Sequence, residues 1–420
     1  MSRLLFFQLM FFSILILLIL FEYLIYKRWK NRILSIKYKK IFSSIYWFIA
    51  ISTKIGLLFF FYSRRNFYIE VEGILKPLYY FLLSWNYAFF FAFIVWFLSF
   101  IVLYAIYYIF FYIKNRVNSR KKIPDAQENT ITRKAFLVSS AGLILDTTPF
   151  LATGINFSGM YLGSKDFVSF NKPIKIDNLH PVFQNFKIVH ISDLHIGSLI
   201  NEVYLKPTIE IIKSLKPDII VVTGDILDNS NLYLPTVGWY FRKLNEIAPV
   251  YAILGNHDHI DSPIKLIKTL KLTGTTILVN GSTYINRNKH KINIIGLDYP
   301  IKHFESKKTR AQLSEEYFEQ VYKNMPYKDN PTIVLNHHPS EFSYLKKKPV
   351  QLVLSGHTHG GQIILSENRN SPLSIASNFV KYYVDLYTEE GVHLYVNRGL
   401  GHWFPLRINC PPEITLIELY

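Results

Sequence analysis

Five short clusters of Asp, His and Asn punctuate this 420-residue chain from Asp193 onward. They are Asp193-Leu194-His195, Gly224-Asp225, Gly255-Asn256-His257-Asp258, Asn336-His337-His338 and Gly356-His357-Thr358-His359-Gly360-Gly361. Imidazole and carboxylate together suit first-row divalent ions such as Mn, Fe, Zn, Co or Ni. Two ions roughly 3.5–4 Å apart need a shared anionic ligand, and a carboxylate bridges by giving one oxygen to each. Asp225 is the natural bridge, because it follows an apolar run and a glycine that lets backbone approach closely. Asp193 and His195 are two apart, so both point to one side on an extended exit from a strand. His357 and His359 share that spacing, and serve either one ion or two adjacent ones. Asn256 offers a neutral amide oxygen. His337 offers a further imidazole, with His338 beside it as a rival ligand.

His257 and Asp258 read as a different device. A histidine beside two cations stabilises transition-state charge or protonates a leaving oxygen. A neighbouring carboxylate holds its tautomer and orientation. Each motif alone is a weak signal, and the ordered series carries the reading. His180, His290, His303, His393 and His402 lack such a setting and read as surface or core residues. His190 lies inside an apolar run and reads as packing, while His259, like His338, is adjacent to motif residues.

The elements that must position these groups follow from hydrophobic pattern. Short β-branched runs at 186–192, 217–223, 250–254, 332–335 and 350–354 each lead into one motif. Helical stretches at 203–215, 236–246 and 310–322 lie between them, and 291–296, 392–397 and 413–418 read as further strands. Strands alternating with helices predict an α/β layered fold with both sheet faces covered. Ligands in such folds bind beyond strand C-terminal ends, where all five motifs sit.

The first 155 residues belong to another solvent. A bilayer-crossing helix needs roughly 20 mostly apolar residues. Residues 4–26, 41–62, 87–113 and 135–155 are read as four crossings, with 156–185 as a linker and 186–420 as the water-soluble domain. The run 78–113 carries no charge, and its aromatic start reads as an interfacial lead-in. Lys54, inside the second run, is expected to snorkel or to face a neighbouring helix. Basic residues crowd the loops after the first and third runs, which places those loops in the cytoplasm. Four crossings then put residues 156–420 outside; three would keep them inside. The chain is therefore expected to be an integral protein of a bacterial inner membrane, with its water-soluble domain extracytoplasmic.

Formal net charge is +17. Membrane lipids rather than nucleic acid are the expected partner, because the basic residues flank apolar runs. The one cysteine, Cys410, excludes an intramolecular disulfide and a Cys-based zinc site.

The five motifs together resemble the calcineurin-like metallophosphoesterase series, over roughly residues 186–420. Gly356–Gln362, Asn397-Arg398-Gly399-Leu400-Gly401 and Cys410-Pro411-Pro412-Glu413 look like a bacterial membrane-associated branch. The resemblance implies a β-sandwich flanked by α-helices and two divalent metal ions. One ion would be held by Asp193, His195, Asp225 and His359, and the other by Asp225, Asn256, His337 and His357. His257 would be the acid or charge stabiliser, positioned by Asp258. The implied substrate is a phosphate ester, and membrane attachment favours a lipid-linked or envelope phosphodiester or pyrophosphate. A tethered nucleotide or nucleic-acid phosphodiesterase, and a metal-binding membrane scaffold without turnover, are the alternatives.

Overall fold

The computed structural model describes residues 3–32, 36–66, 77–90, 92, 133–161, 163, 166–301, 308–366, 372–402 and 405–420. The chain divides into two compact units, Met1–Phe61 with Gly73–Ser158, and Tyr62–Glu72 with Gly159–Tyr420.

The described residues of the first unit are helical. Helices Arg3–Arg32, Ile36–Asn66 and Arg133–Tyr161 take in three of the four expected crossings, and residues 77–90 are helical as well. Residues 93–132, which hold most of the expected crossing at 87–113, lie outside the described residues. Among the described residues, no helix is long and apolar enough to cross a membrane. Lys54 faces a neighbouring helix: its Nζ lies 2.6 Å from Glu22 Oε1, and Trp85 Nε1 donates to the same oxygen at 3.0 Å.

Among the described residues the second unit is an α/β sandwich of two six-stranded sheets, with a small antiparallel pair, β10 (Ile364–Ser366) and β11 (Leu373–Ser374), beside them. The first runs in the order β1 (Val168–Ile174), β14 (Glu413–Leu419), β2 (Phe186–Ile191), β3 (Ile219–Thr223), β4 (Val250–Ile253), β5 (Thr276–Ile277). The second runs β12 (Asp385–Glu389), β13 (Val392–Val396), β9 (Leu352–Ser355), β8 (Thr332–Leu335), β7 (His290–Gly296), β6 (Gly281–Arg287). Ile188, Val221 and Ile253 from the first sheet meet Ile294, Ile333 and Leu354 from the second in one buried core. Helices Glu202–Ser214, Leu234–Asn245 and Pro263–Leu272 pack their apolar stripes on the outer face of the first sheet. Helix Arg310–Asn324 covers the second sheet through Phe318 and Val321. Strands covered on both faces must be apolar throughout, and β3, β8 and β9 are buried at every position.

One boundary differs from the sequence reading. The expected linker 156–185 contains β1, which pairs in parallel with β14 over its whole length. The alternating pattern of β1 marks it as an edge strand with one exposed face, too weakly apolar to stand out.

Candidate metal centre

Five parallel strands deliver the motifs. β2, β3 and β4 lead into Asp193, Asp225 and Asn256, and β8 and β9 into His337 and His357, each two or three residues past the strand end. The two sheets therefore bring their C-terminal edges to one rim, and all seven expected ligands meet there.

Two clusters share that rim. In one, His195 Nε2 lies 3.1 Å from His359 Nε2, and His359 Nε2 lies 3.6 Å from Asp193 Oδ1. In the other, His337 Nε2 lies 3.1 Å from Asn256 Oδ1 and 3.3 Å from His357 Nδ1. Asp225 joins them: its Oδ2 is 3.6 Å from His195 Nε2 and 3.4 Å from His337 Nε2. Asp193–His195–His359, His195–Asp225–His257 and Asp225–His337–His357 each place one candidate ligand atom per residue within 4.8 Å of the others. A single Asp225 carboxylate oxygen is shared between the two clusters. Oδ2 faces both clusters, because Oδ1 accepts the His257 backbone N–H at 2.8 Å.

The backbone is bent to achieve this. Asp193, His195, Asp225, His357 and His359 all adopt left-handed φ, between 46° and 71°. Such conformations cost about 1–3 kcal/mol each and persist only where the surrounding structure enforces them. Glycine provides the clearance: a Cβ on Gly356 would lie 2.1 Å from Asp193 Oδ2, and one on Gly255 would lie 2.2 Å from Asp225 Oδ1.

The histidines divide by their surroundings: burial lowers His337, but the Asp225 charge beside it prevails and pushes it up to about 10. Burial holds the His357 and His359 imidazoles well below the usual histidine range, so both are neutral and keep a lone pair. His337 Nδ1–H donates to the Thr223 carbonyl at 2.7 Å, which reserves Nε2 for the centre. Burial pushes the Asp193 carboxyl up to about 6, with the Asp225 charge adding to the effect. Burial also opposes the Asp225 charge, yet His337, His257 and His195 around it hold that carboxyl well below the usual range. Two buried carboxylates, four imidazoles and an amide oxygen form a donor set that fits divalent cations.

Three assignments sharpen. His338 is not at the centre: its Nδ1 takes the Ser340 hydroxyl at 2.9 Å and sits 3.4 Å from Glu341. His259 is likewise taken up, by Asp298 at 2.9 Å. Asp258 does not hold the His257 ring. Its carboxylate accepts the backbone N–H groups of Leu227 and Gly255, each at 2.8 Å, and so ties the β3 and β4 exits together. The ring is held instead by the Asp228 carbonyl, 2.7 Å from His257 Nδ1. The sequence reading missed Asp228, whose buried carboxylate lies 3.9 Å from both His195 Nδ1 and His257 Nδ1. Its one available signal was the three-residue spacing after Asp225. His190 is packing, as expected: burial pushes it down to about 3, and it pairs with Thr223.

A two-sheet sandwich that gathers this donor set at its strand ends defines a metal-dependent phosphoester hydrolase. The calcineurin-like phosphoesterase family matches residues 186–361. The chain is 37% identical to YkuE of Bacillus subtilis, an uncharacterized metallophosphoesterase, covering 56% of this chain and 80% of that protein. It is 28% identical to phosphodiesterase YaeI of Escherichia coli, covering 69% of this chain and 99% of the relative. It is also 28% identical to UDP-2,3-diacylglucosamine pyrophosphatase LpxG of Chlamydia trachomatis, over 60% of this chain and 87% of the relative. The chain belongs to the calcineurin-like phosphoesterase family.

Proposed function

We propose that this protein is a membrane-anchored hydrolase of phosphodiester or pyrophosphate bonds in a lipid-linked or envelope substrate, working with two divalent cations. The observation that carries the two-cation reading is Asp225 Oδ2, set 3.6 Å from His195 Nε2 and 3.4 Å from His337 Nε2. Asp193, His195, Asp225 and His359 would hold one ion, and Asp225, Asn256, His337 and His357 the other. When bound, such a pair supplies a nucleophile at neutral pH and neutralises phosphate charge. His257, fixed through Nδ1 by the Asp228 carbonyl, keeps Nε2 for protonating the leaving oxygen. Asp193 and Asp225, both buried, keep the negative charge of the site inside a region that excludes water.

The membrane anchor rests on the uncharged run 78–113 and its neighbouring apolar runs, and the extracytoplasmic placement rests on loop charge. A lipid-linked substrate is supported by that anchor and by the LpxG relative, whose name specifies a diacylated pyrophosphate. The YaeI relative, named a phosphodiesterase, supports the diester alternative, with a tethered nucleotide diesterase as its soluble-substrate form.

The test is a substrate panel on the full chain in detergent, with Mn, Fe, Zn, Co and Ni supplied separately. A lipid pyrophosphate or phospholipid-like diester should be cleaved faster than a nucleotide diester. Preference for the nucleotide diester would replace the lipid reading. Absence of turnover with every metal bound would leave a metal-binding scaffold.

A further inference from the structure

Behind the Asp193–His195–His359 cluster lies a residue that neither motif spacing nor the proposed ligand set includes. Arg407 is 1% exposed. Its Nη2 donates to the carbonyls of Arg398, Gly399 and Gly401 at 3.0, 3.0 and 2.6 Å, and its Nη1 to that of Cys410 at 3.0 Å. Nη2 also stands 3.5 Å from His359 Nδ1. The guanidinium donors are taken by those carbonyls, and Nε2 is the His359 nitrogen turned toward His195 and Asp193.

The loop that Arg407 gathers is itself fitted to the ligands. Leu400 N–H donates to the Ser192 carbonyl at 2.8 Å and Gly401 N–H to the Asp193 carbonyl at 2.9 Å. Gly399 has φ +78°, and a Cβ there would lie 2.8 Å from His359 Nδ1 and 3.0 Å from Asp193 Cβ. Cys410 Sγ donates to the His359 carbonyl at 3.3 Å. The Asn397–Gly401 and Cys410–Glu413 motifs thus meet beside the Asp193–His195–His359 cluster.

We infer that Arg407 is a positioning residue for His359 and Asp193, clasping the 397–401 loop against one of the two ion sites. This rests on the two-cation reading of the centre. Among the described residues Arg407 makes its contacts on the His359 side, and the link from there to the other cluster is the Asp193 carboxylate, which accepts the His357 backbone N–H at 2.9 Å. Arginine is required because a planar fork of donors satisfies several carbonyls at once, whereas a lysine ammonium is a point charge.

The experiment is calorimetric titration of metal-free full chain in detergent with MnCl2, alongside thermal melting. In Arg407→Lys, one Mn²⁺ equivalent should bind about 10–100-fold more weakly, as expected on losing a group that orients a ligand, while the other is unchanged. Gly399→Ala, which keeps Arg407 but crowds His359 Nδ1, should weaken the same equivalent and decides the matter alone if Arg407→Lys fails to fold. Equal weakening of both equivalents, or unchanged binding in a folded variant, overturns the inference. A wild-type chain that binds fewer than two Mn²⁺ instead refutes the two-cation reading on which it stands.

Discussion

His257 Nδ1 lies 2.7 Å from the backbone carbonyl oxygen of Asp228. The ring is therefore oriented by main chain, and no neighbouring side chain need change for its Nε2 to serve as proton donor. His257→Ala should lower kcat by about 10²–10⁴ while leaving the metal content intact. Steady-state kinetics with a chromogenic phosphodiester, paired with elemental analysis, checks this. A variant that loses metal along with activity would move His257 into the ligand set.

Asp225 faces both clusters through one oxygen, whereas Asp193 belongs to one. Asp225→Asn should deplete both metal equivalents and abolish turnover. Asp193→Asn should deplete one. Metal-to-protein ratios after dialysis distinguish the two, and equal depletion would deny Asp225 its bridging place.

Asp258 holds two backbone N–H groups rather than an imidazole. Asp258→Ala leaves those buried donors unmet, at a cost of about 1–3 kcal/mol in stability. The melting temperature should fall visibly. A full loss of activity with an unchanged melting temperature would return Asp258 to the role of orienting His257.

Lys54 and Glu22 form a buried pair in the helical unit, 2.6 Å apart. Removing one partner of a buried pair strands a charge and costs about 3–5 kcal/mol, while replacing both is far milder. Lys54→Met should therefore lower stability in detergent, and Lys54→Met with Glu22→Gln should recover most of it. An additive double variant would show that the pair is not coupled.

A reporter that works only outside the cytoplasm, fused after Tyr420, should be active if four crossings precede the hydrolase unit. Activity of a cytoplasmic reporter at that position would leave the catalytic side inside, as three crossings require.

The sequence by itself determined the chemistry. Asp193, His195, Asp225, Asn256, His337, His357 and His359 each follow a short apolar run, and such runs are buried strands whose C-terminal ends share one rim. The layered α/β class followed from the same alternation. Local pattern was silent where the deciding contact is long-range. β1 was hidden because an edge strand needs only half its residues apolar, and its partner β14 lies at the far end of the chain. His337 and His338 are chemically equal in sequence; the Ser340 and Glu341 contacts of one and the Thr223 contact of the other separate them. Which oxygen of Asp225 faces both clusters, what holds His257, and the clasp of Arg407 behind His359 were decided by tertiary structure alone. Those contacts join segments whose proximity depends on two sheets closing on each other, and no residue-by-residue periodicity records that closure.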